Sequence, residues 1–424
     1  MRRTARTLAL VAGIAALVSA CGGGETTAEP GATPTETQAP EATETEGAPT
    51  RADADLVIWA DQKRTDALQG IAEQFGEENG ITVAVQTVAT DLQFNFITAN
   101  TAGNGPDVVI GAHDWIGNLV QNGAIDPLPL AEEDAARYSE IALKGVTYDG
   151  QVYGLPYAVE SIALFRNTDL VPEAPTSIEA LVEAGTASGA ENPLCLQVGE
   201  NGDAYHMQPL YTSAGGYLFG TTPEGDYDPA DVGVGKEGSL TAAQKIAELS
   251  QQGVLKTSIT ADNSISLFTE GRCAFLVSGP WATADVEKAG FGYEISPIPG
   301  FQGMQPAQPF TGVQAFYIAS KGKNKAFAQQ FVLEAANSPE TMQALFDAEP
   351  RPPAMTEVLE SVTADNPDVA AFAEAAAGGQ ILPAIPQMGE IWEPLGKAEA
   401  AIVGGADPSS TMQTAGQTIS EALQ

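Results

Sequence analysis

The sequence is poor in cysteine, histidine and positive charge. Its 424 residues include 3 cysteines, 2 histidines and 19 lysines and arginines, against 55 aspartates and glutamates, for a formal net charge of −36. This sign argues against nucleic acid and against an anionic membrane surface as partners, because both would repel the protein. The chain also lacks a G-x-S-x-G elbow, an H-E-x-x-H pair and a P-loop. We therefore expect neither a metal nor another cofactor.

The amino-terminal apolar run, residues 8–18, is too short to span a bilayer as a helix. It follows the basic segment MRRTAR and precedes VSAC, which ends at Cys21. Residues 1–20 therefore have the pattern of a secretory signal peptide. The small residues before Cys21 resemble a bacterial lipobox, which implies cleavage before Cys21 and lipidation of its sulfur. The alternative is an ordinary secretory signal with an incidental cysteine.

Residues 21–54 begin with the anchor Cys21 and continue with Gly, Glu, Thr, Pro and Ala, without an aromatic side chain. Such a segment cannot bury enough apolar surface to offset the entropy lost on ordering, so it predicts a disordered acidic linker. Anchor and linker together predict an extracytoplasmic protein that touches the cell membrane only through its lipid.

The two remaining cysteines, Cys195 and Cys273, lie in the apolar runs PLCLQV and RCAFLV. In an oxidising compartment, such a pair most simply indicates one disulfide. Two buried free thiols are the alternative.

From residue 55 onward, strand and helix patterns alternate. The runs LVIWA, ITVAVQTV and PDVVIGA are predicted strands, and Leu68, Ile71 and Phe75 have the spacing of one helix face between the first two. This alternation predicts an α/β fold with doubly wound sheets, in which ligands bind beyond the carboxyl ends of the strands. The alternation weakens near residues 153–167 and a second α/β body follows. The chain length also favours two domains.

Several segments, in order, resemble the maltose- and maltodextrin-binding proteins of bacterial ABC importers, within the wider extracellular solute-binding proteins. They are LVIWA, GPDVVIGAHDWIG, YGLPYAVESIALFRN, SAGGY, VSGPWA and ILPAIPQMGEIW. The resemblance extends from about Leu56 to Leu423. It implies a periplasmic-binding-protein-like fold of two lobes that close on the ligand. The implied N-lobe is residues 55–158 and 314–370, and the implied C-lobe is residues 161–309 and 375–424. Three hinge strands would cross near residues 159–161, 310–313 and 371–374.

The resemblance also implies a sugar site. Carboxylates accept paired bonds from sugar hydroxyls, and aromatic rings cover the apolar pyranose faces. The positions carried over are Asp61, Lys63, Asp114, Trp115, Glu160, Asp203, Tyr205, Trp281, Met388 and Trp392. The residues alone leave alternatives open. Asp114 could be a helix N-cap, Glu160 part of a structural ion pair, and Trp115 a packing residue.

The chain departs from the family pattern at other positions of the expected site. Gly111 and Gln208 stand where tryptophans are usual, Glu393 replaces a ring-stacking tyrosine, and Gly396 replaces an arginine. The expected site therefore has fewer aromatic rings. Maltose, a longer maltodextrin, trehalose and another α-glucoside all remain possible ligands.

The expected function is that of a monomeric receptor and not an enzyme. It would bind malto-oligosaccharide or a related α-glucoside and deliver it to the permease subunits of an ABC transporter. A secreted glycoside hydrolase is the competing class, since such enzymes use two carboxylates beside the scissile bond. With 55 acidic residues in the chain, a suitable pair would occur by chance. A lipoprotein that only scaffolds a surface complex would bind no small molecule saturably.

Overall fold

The computed structural model describes residues 49–223 and 226–424. The predicted signal peptide, Cys21 and most of the predicted linker lie outside the described residues. Among the helices within them, none combines the length and the apolar character needed to cross a membrane.

The strands of the described residues are numbered along the chain. They are β1 Leu56–Ala60, β2 Val83–Thr87, β3 Val108–Ala112, β4 Ile125–Asp126, β5 Thr147–Tyr148, β6 Gln151–Val152, β7 Gly154–Ser161, β8 Ala163–Asn167, β9 Asn192–Cys195, β10 Phe219–Thr221, β11 Tyr227–Val232, β12 Cys273–Ser278, β13 Tyr293–Ser296, β14 Phe310–Ala319 and β15 Gln380–Ile381.

The α-helices are numbered in the same way. They are α1 Gln62–Asn79, α2 Leu92–Thr101, α3 Ile116–Gln121, α4 Glu132–Ala135, α5 Glu140–Gly145, α6 Ile178–Ala187, α7 Ala204–Ser213, α8 Glu237–Gln251, α9 Ser264–Thr269, α10 Thr283–Ala289, α11 Lys325–Gln330, α12 Pro339–Ala348, α13 Thr356–Thr363, α14 Pro367–Gly378, α15 Gly389–Val403 and α16 Pro408–Ala422. Short 3₁₀ helices cover His113–Trp115, Pro280–Ala282 and Pro386–Met388, and a π-helix covers Phe331–Ala336.

The first sheet has the order β15-β14-β3-β1-β2, and β4 and β7 also pair with β14. β1 lies parallel to both β2 and β3, whereas β14 runs antiparallel to β3. All five residues of β1 are buried, as an apolar run covered on both faces requires. The predicted α/β fold with a doubly wound sheet is confirmed.

Helix α1 shows how local chemistry sets an element's ends. Its N-cap is Asp61, whose carboxylate accepts a hydrogen bond of 3.0 Å from the backbone N–H of Arg64. It ends at Gly80, whose φ of 66° is left-handed and is tolerated best by glycine. Between these caps, Leu68, Ala72 and Phe75 are buried, so the predicted apolar face is the one that packs.

The second sheet has the order β13-β8-β12-β9. Strand β12 lies parallel to β9 and antiparallel to β8. Cys195 in β9 and Cys273 in β12 are fully buried and joined by a disulfide. The bond therefore links two neighbouring strands of one sheet.

The first sheet packs in one hydrophobic core cluster and the second sheet in two, and these clusters define an N-lobe and a C-lobe. Val159 packs in the N-lobe core, whereas Ile162 packs in the C-lobe core. The chain returns in β14, where Phe310 belongs to the C-lobe core and Val313 to the N-lobe core. β7 and β14 pair along this junction, with Glu160 opposite Gly312.

The third segment that connects the lobes is a helix and not the expected hinge strand. Residues 371–374 lie inside helix α14, so the hinge strand expected there is wrong. The alanine-rich sequence AAFAEAAAG favours a helix. Within α14, Val369 and Ala376 pack in the N-lobe core and Phe372 packs in the C-lobe. One helix therefore contacts both lobes.

Candidate functional site

His113 fixes the chain just beyond strand β3. Its ring is buried; Nε2–H donates to the carbonyl oxygen of Leu382 at 3.0 Å, and the backbone N–H of Val313 donates to Nδ1 at 3.0 Å. Burial lowers the pKa of His113, which keeps the ring neutral and able to serve as both donor and acceptor. His113 therefore ties the segment carrying Asp114 and Trp115 to the lobe junction.

Trp115 and Trp281 occupy matching positions in opposite lobes. Each lies in a short 3₁₀ helix directly after a strand, β3 for Trp115 and β12 for Trp281. A Cβ on Gly111 would lie 2.0 Å from the Trp115 ring, and one on Gly279 would lie 2.1 Å from the Trp281 ring. Each ring thus rests against a backbone that only glycine leaves open. This packing gives a physical reason for glycine at 111, where the family pattern has tryptophan.

A cavity of about 340 Å³ lies between the lobes. Trp281 contributes to it from the C-lobe, and the N-lobe and the junction contribute the rest. Its lining consists of Asp61, Arg64, Val88, Ala89, Leu92, Ile110, Gly111, Ala112, Trp115, Glu160, Trp281, Gln314 and Arg351. The structure therefore brings together four of the residues singled out from the sequence, namely Asp61, Trp115, Glu160 and Trp281. A larger cavity of about 680 Å³ lies between α15 and α16, within the C-lobe and away from the junction.

Glu160 is held in an ion pair by Arg351, and each side chain is 16% exposed. Gln314 Nε2 donates to Glu160 Oε1 at 3.1 Å, and Arg351 Nε donates to Glu349 Oε2 at 3.0 Å. Burial lowers the pKa of Arg351 to about 10, with a smaller contribution from the charge of Arg64. The ion pair left open for Glu160 is thus present, within the wall of the cavity.

A second arginine pairs with the other cavity carboxylate. Arg64 forms an ion pair with Asp61 and lies over the Tyr157 ring, with its guanidinium carbon 5.6 Å from the ring centre. Arg64 Nη2 is also 3.6 Å from Glu349 Oε2. Lys63 is largely exposed and donates to Glu349 Oε1 at 3.1 Å, outside the cavity lining.

The Asp114 carboxylate is half-buried. Among the described residues its side chain forms no hydrogen bond and no ion pair, and it does not cap the helix that follows. Burial raises the pKa of Asp114. Burial raises the pKa values of Tyr205 and Tyr317, and the negative charge of Asp114 raises them further. Asp114 therefore lies near Tyr205 of the C-lobe, with free acceptor capacity.

Tyr205 and Trp392 pack on Phe310 at the start of β14. The Tyr205 ring stacks on Phe310 with centres 5.8 Å apart, and Trp392 meets Phe310 edge-on, also at 5.8 Å. Trp281 contacts the ring of His206 edge-on at 6.2 Å. These rings form a C-lobe aromatic cluster around the junction, in which Phe310 was not singled out from the sequence.

Two further candidates serve the C-lobe itself. Asp203 is the N-cap of α7 and accepts hydrogen bonds from the backbone N–H of His206 at 2.9 Å and from its Nδ1 at 3.1 Å. Burial raises the pKa of Asp203, but the bonds from His206 and Gln197 outweigh it and lower the pKa. Met388 is buried in the C-lobe core. Neither residue lines the cavity.

Sequence reasoning missed Arg64, Arg351 and Gln314. Arg64 follows the predicted contact Asp61 by one helical turn, so the i, i+3 spacing could have indicated it. Arg351 lies 191 residues from Glu160, and no local pattern joins them. Gln314 lies opposite Ala158 of β7, and only strand pairing sets this position.

Two α/β lobes with a junction cavity, to which each lobe contributes a tryptophan, define the architecture of a two-lobed ligand-binding protein. The family of bacterial extracellular solute-binding proteins matches residues 70–373, and this chain belongs to that family.

Named relatives cover most of the chain. It is 27% identical over 375 residues to the galactooligosaccharide-binding protein of Bacillus subtilis (strain 168), which covers 86% of this chain and 88% of that protein. It is 26% identical to the maltodextrin-binding protein MdxE of the same strain, with 85% and 87% covered. It is also 26% identical to the maltooligosaccharide ABC transporter solute-binding lipoprotein of Streptococcus pneumoniae serotype 4, with 80% and 82% covered.

Proposed function

We propose that this protein is the oligosaccharide receptor of an ABC importer and that it binds malto-oligosaccharide or a related α-glucoside between its lobes. The observation that carries the proposal is the junction cavity, to which Trp115 and Trp281 come from opposite lobes. Aromatic faces and a wall of hydrogen-bonding groups suit a neutral sugar, which offers apolar C–H faces and hydroxyls. The relatives named for maltodextrin and maltooligosaccharide support this class of ligand.

The charged wall favours binding over catalysis. Glu160 and Asp61 are each ion-paired with an arginine, which keeps a carboxylate ionised and makes it a poor general acid. A glycoside hydrolase needs a carboxyl group beside the scissile bond that stays protonated near neutral pH, and neither of the two acidic residues that line the cavity suits that role. We therefore propose a receptor without hydrolytic activity, and maltotriose incubated with the protein should be recovered uncut.

The proposed mechanism is closure of the lobes on the sugar. We propose an N-lobe of residues 55–158 and 314–370 and a C-lobe of residues 161–309 and 375–424. The hydrophobic cores support this division, although Ala376 and Ile381 pack in the N-lobe core. A ligand that contacts both lobes favours the closed arrangement and shifts the population toward it. The closed monomer then presents both lobe faces to the permease subunits, which take up the sugar.

We further propose that Cys21 carries a lipid that anchors the protein on the outer face of the cell membrane. The sequence VSAC supports this attachment. So does the similarity to a streptococcal protein named as a lipoprotein. Mass spectrometry of the protein purified from membranes should find a mature chain that begins at a diacylated Cys21.

A galactooligosaccharide is the second candidate ligand. The relative named for it is 27% identical over 86% of this chain. Both sugars are neutral, and their rings present one face richer in C–H groups, so the same tryptophans could serve either.

Calorimetric titration of the purified protein tests the proposal. Maltotriose, trehalose and a galactooligosaccharide are titrated in turn, with ribose as the control sugar. Saturable binding of maltotriose at about micromolar concentration, an ordinary range for small ligands, supports the first candidate. If only the galactooligosaccharide binds, the protein is still a sugar receptor, and the galactooligosaccharide is its ligand. Absence of binding to all of them would refute the sugar-receptor proposal.

A further inference from the structure

Trp281 is an exposed ring at the candidate site. The residue is 42% exposed, and it lines the junction cavity from the C-lobe. One side of the ring rests against the backbone of Gly279, where a Cβ would lie 2.1 Å away. A side chain with so little cover loses conformational freedom when a ligand orders it, which opposes binding unless its neighbours already hold it in place.

The ring of His206, in helix α7, is such a neighbour. The rings of His206 and Trp281 meet edge-on, with their centres 6.2 Å apart. His206 is 8% exposed and is absent from the cavity lining, whereas Trp281 is part of it. His206 can therefore influence a ligand in the cavity through its contact with Trp281.

A carboxylate anchors the His206 ring. Nδ1–H donates to both carboxylate oxygens of Asp203 at 3.1 Å, and the backbone N–H of His206 donates to Asp203 Oδ1 at 2.9 Å. Gln197 Nε2 also donates to Asp203 Oδ2, and Ser264 Oγ donates to Gln197 Oε1 at 3.4 Å. An imidazole bonded to a carboxylate in this way is fixed in one tautomer and one orientation.

These hydrogen bonds connect separate segments of the C-lobe. Gln197 follows strand β9, Asp203 and His206 lie at the start of α7, and Ser264 begins α9. Trp281 follows a further strand, β12. The hydrogen bonds therefore join three segments, and the His206 ring extends their support to the fourth segment, which carries Trp281.

The second nitrogen of His206 indicates why a histidine occupies this position. Nε2 is buried and forms no hydrogen bond with the described residues. A buried polar atom without a partner costs free energy, which an apolar ring of similar size would avoid. Packing of the C-lobe therefore does not explain the histidine. The bond from Nδ1–H to Asp203 explains it, because this bond orients the ring that contacts Trp281.

We propose that His206 is a positioning residue that holds the Trp281 ring in the orientation that stacks on a bound sugar. The inference rests on the proposed sugar-binding function and adds a residue that acts through Trp281 without touching the ligand. Without the His206 ring, Trp281 gains access to other side-chain rotamers, and part of the stacking contact is lost.

A double-mutant cycle between His206 and Trp281 tests the proposal, by calorimetry with whichever sugar the wild type binds. His206→Ala should weaken binding about three- to tenfold in the wild-type background and less than about twofold in the Trp281→Ala background. Met207→Ala is the matched control, since it truncates the next side chain of α7, which is buried in the C-lobe core. Its effect on affinity should be the same in both backgrounds.

His206→Phe keeps the test decisive if His206→Ala destabilises the C-lobe. Phenylalanine fills the space of the ring and removes both the bond to Asp203 and the unpartnered nitrogen. Thermal stability should therefore be retained, while affinity should fall about two- to fivefold in the wild-type background and remain unchanged in the Trp281→Ala background.

Equal losses of affinity in the two backgrounds would overturn the inference, because His206 would then act independently of Trp281. Unchanged affinity in both His206 variants would also overturn it and would leave the proposed sugar receptor intact. Wild-type protein that binds no sugar would refute the proposed function together with the inference.

Discussion

Arg351 reaches Glu160 across 191 residues of sequence and forms an ion pair with it in the wall of the junction cavity. Arg351 follows helix α12 of the N-lobe, and Glu160 lies at the end of β7, where the chain leaves that lobe. Gln314 Nε2 also donates to Glu160, at 3.1 Å. The pair therefore positions a carboxylate at the lobe junction and compensates its charge.

Removal of one partner of this pair should destabilise the fold. Arg351→Gln leaves the Glu160 carboxylate poorly solvated and without its counter-charge. Loss of one partner of a fully buried ion pair lowers the free energy of unfolding by about 3–5 kcal/mol, so we expect a decrease of about 2–4 kcal/mol for this partly exposed pair. The double variant Arg351→Gln/Glu160→Gln should regain part of the loss. Urea denaturation measures the free energy of unfolding. A double variant less stable than Arg351→Gln alone would contradict this account.

Trp281→Ala should weaken sugar binding about tenfold or more and leave the fold intact. The ring is 42% exposed, so its loss affects folding little, whereas a sugar in the cavity loses a stacking face. About 1.4 kcal/mol of lost contact corresponds to the tenfold change. Calorimetry measures affinity and thermal denaturation measures stability, with Met304→Ala as the control. Wild-type affinity in Trp281→Ala would exclude the ring from the site.

Sugar affinity should fall on acidification because of Asp114. Burial raises the pKa of Asp114, so the carboxylate takes up a proton at higher pH than an ordinary aspartate does. The protonated form is a weaker acceptor for sugar hydroxyls. Titrations from about pH 8 to about pH 4 should show a decline in the wild type and a weaker, flatter profile in Asp114→Asn. Equal pH dependence in both would assign the effect to another group.

Glu399 should make stability fall as pH rises. It is fully buried in α15, neither carboxyl oxygen has a partner among the described residues, and burial raises its pKa well above the ordinary value. Above its ordinary pKa, the unfolded chain has released the proton that the folded state retains, so rising pH favours unfolding by up to about 1.4 kcal/mol per pH unit.

Glu399→Gln removes this titration while keeping the size of the side chain. Its free energy of unfolding should exceed that of the wild type by a larger amount at about pH 8 than at about pH 5. Chemical denaturation at both pH values gives the comparison. A constant difference between the two proteins would show that Glu399 does not titrate with folding.

Loss of the disulfide should lower stability. The bond between Cys195 and Cys273 closes a loop with a sequence separation of 78. Removal of such a disulfide lowers the free energy of unfolding of the protein by about 2–5 kcal/mol. Cys195→Ala/Cys273→Ala should therefore unfold at lower urea concentration than the oxidised wild type. Wild type unfolded and refolded under a reductant should match the variant. Equal midpoints with and without the bond would contradict a stabilising role.

Short stretches of sequence determined the strands and helices that depend on apolar spacing and on capping residues within the same stretch. The run LVIWA became the fully buried β1, and the Asp61 cap, the spacing of Leu68 and Phe75 and the terminal Gly80 set helix α1. The expected hinge strand at 371–374 failed because the resemblance, and not the alanine-rich sequence itself, suggested it.

The candidate site was only partly accessible from the sequence. Trp115, Glu160 and Trp281 could be singled out because they stand in recognisable segments, and the structure places them around one cavity. Two of the departures gained a physical reason only in three dimensions. The Trp115 ring packs on the backbone of Gly111, and a Cβ on Gly396 would lie 3.2 Å from the carbonyl oxygen of Asn201, a tight contact.

The sequence by itself determined the fold class and predicted the export signal and the candidate aromatic and acidic residues, since apolar spacing, turn chemistry and composition act over short stretches of chain. Tertiary structure alone decided that Glu160 is paired with Arg351 and that Asp114 has no partner among the described residues, whereas the i, i+3 spacing could already indicate the pair of Asp61 and Arg64. Arg351 and Arg64 neutralise Glu160 and Asp61, while Asp114 remains without a partner among the described residues. Contacts between distant segments depend on how the two lobes pack, and no local pattern encodes that packing.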